Sequence, residues 1–128
     1  MVDYSKWNAI IVDDEKDNVG VMQMVFEFND AKVRAAYSGK ECLALLALEI
    51  PTFLLVDIQM PEMSGYELLQ RIRENPQWSS IPIIAVTAHA RSEDEQEIMN
   101  AGFDGYIGKP ISVITLMDQL SKILKSKA

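Results

Sequence analysis

The chain has 128 residues, 48% hydrophobic and 24% charged, with a formal net charge of −7. That length specifies one domain whose core needs neither disulfides nor a structural metal. The acidic balance excludes a basic nucleic-acid-binding stripe. The start, Met1 to Trp7, lacks the layout of a signal peptide, and no apolar run reaches bilayer-spanning length, so a cytoplasmic protein without a membrane partner is expected.

In chain order, the run near residues 8–12 (Ala9-Ile10-Ile11-Val12) is short, β-branched and unalternating, the pattern of a strand buried on both faces. It leads into Asp13-Asp14. Val19, Met22 and Phe26 share one face of a first helix, and Lys32–Ala36 forms the second strand. Ser38 with Glu41 opens a second helix marked by Leu43, Leu46 and Ala47. Residues 53–56 form the third strand, closed by Asp57. Ser64 with Glu67 opens a third helix marked by Leu68, Leu69 and Ile72 and ended by Asn75-Pro76. Residues 82–86 form the fourth strand, closed by Thr87. Ser92 with Glu95 opens a more polar fourth helix over Glu93 to Asn100, anchored by Ile98 and Met99 and stopped at Gly102. The short strand Gly105–Ile107 precedes Lys109-Pro110, and Leu116, Leu120 and Ile123 mark the last helix. Each Ser-x-x-Glu pair fits a capping box, in which side chains satisfy orphan amide donors. Strand–helix alternation repeated five times implies an α/β fold: a parallel sheet with right-handed crossovers and helices on both faces.

In such a sheet Asp13, Asp14, Asp57, Thr87 and Lys109 meet at the carboxyl edge, where open α/β sheets bind ligands. Three acids against one lysine leave a formal charge of about −2. Two like charges about 4 Å apart repel by roughly 4 kcal/mol at an effective dielectric of about 20, so a divalent cation would relieve the cluster. Hard oxygens without a second histidine or a thiolate favour Mg²⁺, or Mn²⁺, over zinc. A carboxylate is also a nucleophile that forms an aspartyl-phosphate. A phosphoryl group there needs a metal, a cation and a hydroxyl donor. Lys109 and Thr87 supply the last two, and Pro110 stiffens the chain beside the lysine.

These residues resemble the receiver domain of two-component response regulators. The likeness covers essentially the whole chain and rests on Asp13-Asp14, Asp57 with Met60-Pro61-x-x-x-Gly65, Thr87-Ala88, Tyr106 and Lys109-Pro110. It implies a flavodoxin-like doubly wound sheet of five strands in 2-1-3-4-5 order flanked by five helices. It implies phosphorylation at Asp57, from a histidine kinase or a histidine phosphotransfer protein. Asp14, Asp57 and the Gln59 carbonyl would hold Mg²⁺ directly and Asp13 through a coordinated water. Thr87 and Lys109 would hold phosphoryl oxygens, and Tyr106 would swing inward as Thr87 moves. Thr87-Ala88-His89-Ala90 and Tyr106 to Val113 further resemble receivers of phosphorelays, hybrid kinases and single-domain cell-cycle regulators.

The resulting expectation is a single receiver domain over 1–128 with no output domain, monomeric or dimerising on phosphorylation. It would catalyse its own phosphorylation and dephosphorylation without being an enzyme in the ordinary sense. It would change a downstream protein's binding at the face of the fourth helix, last strand and last helix, or pass the phosphoryl group on. The alternatives are a constitutive protein-binding module or a receiver excised from a hybrid histidine kinase. A Mg²⁺-dependent aspartyl phosphatase is disfavoured because Gln59 stands where those enzymes carry an acid, and a flavin carrier because Asp13-Asp14 would repel its phosphate. Outside the constellation, lone Cys42 reads as buried filler, and Trp7, Trp78, Met60 and Met63 as packing. His89 reads as a loop residue near the pocket mouth, and Lys122, Lys125 and Lys127 as a solvated helix end.

Overall fold

A computed structural model describes residues 3–88 and 92–126. Among these, five strands alternate with five helices: β1 (Asn8–Val12), α1 (Lys16–Phe28), β2 (Lys32–Ala36), α2 (Gly39–Leu48), β3 (Phe53–Asp57), α3 (Gly65–Glu74), β4 (Ile83–Thr87), α4 (Ser92–Ala101), β5 (Gly105–Gly108) and α5 (Leu116–Lys125). The strands form one parallel sheet in the order β2-β1-β3-β4-β5, as expected.

Strand side chains alternate between faces, and here both faces are covered. Ile10, Val12, Leu54, Val56, Ile83 and Ala85 pack against Cys42 and Leu46 of α2, Leu68 and Ile72 of α3, and Ile98 of α4. Ala9, Ile11, Phe53, Leu55, Ile84, Val86 and Ile107 pack against Val19, Met22 and Phe26 of α1 and Leu116 and Leu120 of α5. That is why the central strands are unbroken apolar runs. Trp7 lies at the floor of the second cluster, its ring 5.2 Å from Phe53 and 4.6 Å from Tyr4. Trp78, Met60 and Met63 pack at the rim of the first. Cys42 is buried, and burial pushes its thiol up to about 12, which makes it inert.

Ser64 and Glu67 form a complete capping box on α3. On α2 the Ser38 hydroxyl accepts from Glu41 N–H, but the Glu41 carboxylate takes the Tyr37 N–H instead of returning to the cap. The Ser92 side chain and His89 lie outside what is described. Two packing expectations need correction. Met99 is exposed, so Ile98 is the one buried side chain of α4 among those described. Ala47 faces solvent, whereas Leu46 and Cys42 of α2 are buried as expected.

The edge opposite the carboxyl ends is tied by Arg73. Its guanidinium donates to Ser79 O at 2.9 Å, Ile81 O at 2.7 Å and Asp104 Oδ2 at 2.9 Å, and that same oxygen accepts from Ile83 N–H at 2.7 Å. One side chain thus joins the end of α3 to the starts of β4 and β5. No described helix is long and apolar enough to cross a membrane.

Candidate functional site

At the carboxyl edge, Asp13 N–H donates to Ala36 O of β2 at 3.1 Å, carrying the acid one residue past β1 while still tied to the sheet. Asp57 is the last residue of β3, opposite Val86. Thr87 ends β4 opposite Gly108 of β5, and Lys109 N–H donates to Thr87 O at 2.7 Å. The Lys109–Pro110 bond is cis. Strand ends alone therefore bring these groups together.

Asp13 and Asp57 are 0% and 3% exposed, while Asp14 lies open to solvent. The three carboxylates offer oxygens within 4.8 Å of one another. Lys109 Nζ sits 3.3 Å from Asp13 Oδ2 and 3.4 Å from Asp57 Oδ1. Apart from this ammonium, no described group donates to buried Asp13 Oδ2. A buried carboxylate oxygen left short of donors is costly and open to a further cation. With three hard oxygens in reach, the residues present fit Mg²⁺ or Mn²⁺.

Burial, then the neighbouring Asp13 charge, push the Asp57 carboxyl up to about 6 against the opposing pull of Lys109 and of Gln59 N–H. Burial alone would pull the Lys109 ammonium down, yet the Asp57, Asp13 and Glu15 carboxylates outweigh it and hold it above the ordinary lysine value. The pocket thus carries more negative charge than one lysine neutralises.

The loop after β3 is shaped around Asp57. Gln59 N–H donates to Asp57 Oδ1 at 3.3 Å, and the Gln59 side chain is exposed. Gly65 N–H donates to Ile58 O at 2.8 Å, drawing the start of α3 against the strand end. Thr87 is buried and borders a cavity of about 210 Å³ shared with Gln59, Tyr66 and Ile98. Tyr106 is half-buried on β5 opposite Ala85 and packs on the α2–α3 side of the sheet. Its hydroxyl faces the Glu95 carboxylate of α4, which as an acceptor and a like charge raises the phenol above its usual range.

Asp13, Asp14, Asp57, Gln59, Thr87, Lys109 and Pro110 thus lie on or next to this edge, while Tyr106 sits two positions inside it on β5. Two acids were not singled out in advance, Glu15 beside Lys109 and Glu95 beside Tyr106. Glu15 carried a signal, as the third acid of an Asp13-Asp14-Glu15 run. Glu95 carried none beyond its capping pattern.

Fold and edge together define a doubly wound α/β protein with an acid-lined ligand site. A family profile described as the response regulator receiver domain matches residues 9–121, and the chain belongs to that family. An uncharacterized 14.6 kDa protein from the sodA1 3′ region of Leptolyngbya boryana is 39% identical over 113 residues, 88% of this chain and 86% of that protein. The polar-differentiation response regulator DivK of Brucella ovis is 34% identical over 117 residues, 91% of this chain and 95% of that protein. Among solved structures, the Vibrio cholerae chemotaxis protein CheY4 superposes with a TM-score of 0.85 at 26% identity, covering 91% of this chain and 98% of that one. The family places the chain in phosphorylation-dependent two-component signalling.

Proposed function

We propose that the chain, acting as a single cytoplasmic receiver domain, is a switch phosphorylated on Asp57 by a histidine kinase or histidine phosphotransfer protein. An Asp57 oxygen attacks phosphorus, the bond from phosphorus to the donor imidazole nitrogen breaks, and the histidine leaves. Asp13, Asp14, Asp57 and the Gln59 carbonyl would hold Mg²⁺, whose charge offsets that of the incoming phosphoryl oxygens. The observation that carries this reading is the grouping of Asp57 with Lys109 at 3.4 Å and with two further acids. Lys109 meets one phosphoryl oxygen and the Thr87 hydroxyl another.

Drawn toward the phosphate, Thr87 frees space for Tyr106 to turn inward and leave Glu95. This alters the face of α4, β5 and α5, a local charge change biasing a two-state element. Support comes from α4, in which Ile98 alone among the described side chains is buried. The altered face changes binding of a downstream protein or of a second copy; otherwise the phosphoryl group passes onward.

Incubation with acetyl phosphate, with and without Mg²⁺, tests this by intact mass. A Mg²⁺-dependent phosphoryl adduct is expected. A folded protein that gains no adduct at any Mg²⁺ concentration overturns the reading.

The phosphodonor has a natural seat. Met24 and Phe28 of α1 with Val113 and Ile114 before α5 are 60%, 87%, 53% and 90% exposed, and they line one groove of about 490 Å³. Phe28 ends α1 toward the far edge of the sheet, whereas Val113 and Ile114 follow Lys109 by four and five residues, so a phosphodonor reaching the pocket would touch the Val113–Ile114 end of this groove. Apolar patches of this kind mark protein interaction sites. Ile114→Asp is expected to slow transfer from the protein donor at least about tenfold while leaving acetyl phosphate labelling within about twofold. Equal transfer rates for variant and wild type would place the donor elsewhere.

A further inference from the structure

Glu15 occupies the N-cap of α1, where a side-chain oxygen ordinarily accepts from the first turn of the helix. Its side chain makes no such bond. Its backbone N–H donates to Asp13 Oδ1 at 2.9 Å, and this turn carries the Glu15 carboxylate back over the pocket. There Oε1 lies 3.9 Å from Lys109 Nζ. The lysine side chain is 14% exposed and that of Glu15 65%, so Glu15 covers the ammonium on its solvent side while Asp13 and Asp57 hold it from within.

The same two inner carboxylates are needed for a divalent cation. Cation and ammonium thus compete for one pair of acids, and like charges at such range repel strongly. Once Asp13 and Asp57 are engaged, Glu15 is the remaining carboxylate in contact with Lys109 among the described residues. We propose that Glu15 is a positioning residue that retains Lys109 at the pocket mouth when a divalent cation takes the inner acids. It thereby lowers the cost of cation binding and keeps the ammonium ready for the phosphoryl group. This inference rests on the reading of the pocket as a phosphorylation site, but its test does not require phosphoryl transfer.

The test is Mg²⁺ affinity, measured by calorimetric titration of the full chain in wild type, Glu15→Gln, Lys109→Met and the double variant. Glu15→Gln is expected to weaken Mg²⁺ binding roughly three- to tenfold. In the Lys109→Met background the same change is expected to cost less than about twofold, because there is no ammonium left to retain. Glu15→Ser guards against a folding artefact, since serine is a good N-cap. It is expected to be at least as stable as wild type in urea and to lose Mg²⁺ affinity as Glu15→Gln does. An equal loss in both lysine backgrounds would mean that Glu15 acts on the cation directly and would overturn the proposal. Unchanged affinity in Glu15→Gln and Glu15→Ser would do the same. Mg²⁺ binding with the expected coupling, but without any acetyl phosphate adduct, would leave the positioning role standing and refute the phosphorylation reading.

Discussion

Asp57→Asn is expected to end phosphoryl uptake and, at neutral pH without metal, to make the protein more stable. The first effect follows from loss of the nucleophilic oxygen. The second follows from the charge pattern. Asp57 is 3% exposed, beside buried Asp13, and its carboxyl is raised to about 6 in the folded chain against about 3.9 when unfolded. Between roughly pH 4 and 6 the folded state therefore binds more protons than the unfolded one, and stability falls as pH rises through that window. Above it the full penalty of the buried charge remains. Discounted for screening by water at the pocket mouth, this amounts to about 1–2 kcal/mol. Asparagine removes the penalty, keeps the shape and leaves Lys109 paired with Asp13. Urea titrations in a chelator should show Asp57→Asn exceeding wild type at pH 7.5, with the advantage shrinking toward pH 4. Mg²⁺ should reverse the ranking, since it stabilises the wild type by mass action and loses a ligand in the variant. An Asp57→Asn protein less stable than wild type at pH 7.5 in chelator would show that Lys109 over-compensates the acids. The same variant separates a switch, which loses its response, from a constitutive binding module, whose partner affinity stays unchanged.

The strands were readable because parallel strands covered on both faces leave runs of consecutive apolar residues. Ile83 to Val86 could be little else. Edge strand β2 is only partly buried, yet it could be placed because turn-forming residues bracket it. Strand ends read a residue short at Asp57 and Thr87, which belong to their strands. Polar side chains there looked like stop signals, although the ladder continues through them to the pocket. The site was legible for the same topological reason: polar groups at the ends of parallel strands must converge. What sequence did not carry were contacts set by side-chain direction between distant segments. Arg73 reaching Asp104 across 31 positions leaves no local pattern, and neither does Glu95 facing Tyr106. Glu15 lies beside the two acids at the pocket, but its turn away from the helix cap toward Lys109 is a matter of rotamer. The reading of Met99 as an anchor failed because two adjacent apolar residues on a helix point about 100° apart, and one stripe buries only Ile98.

Gly65→Ala is expected to damage both the fold and the pocket, through geometry that only a glycine satisfies. A methyl group built there would sit 2.6 Å from Asp57 O and 2.7 Å from Ile58 Cα. Both are backbone atoms at the end of β3, fixed by the sheet, so the neighbours cannot yield by changing rotamer. Gly39 and Gly105 make a useful contrast, because an added methyl would meet the side chains of Met63 and Ile123, and those can move. At Gly65 the start of α3 must instead back away. That breaks the 2.8 Å bond from Gly65 N–H to Ile58 O, disturbs the Ser64–Glu67 capping box and shifts the loop carrying Gln59. The expected cost is about 2–4 kcal/mol by urea denaturation. Misplacing Asp57 by even a fraction of an ångström against Lys109 and Thr87 should slow acetyl phosphate labelling of the folded fraction more than about tenfold. Gly20→Ala is the control: it lies in α1 with nothing within 4 Å of the added methyl, and should gain up to about 1 kcal/mol from helix propensity with unchanged labelling. If Gly65→Ala matched wild type in stability and labelling rate, the close approach of α3 to the end of β3 would not be what positions Asp57.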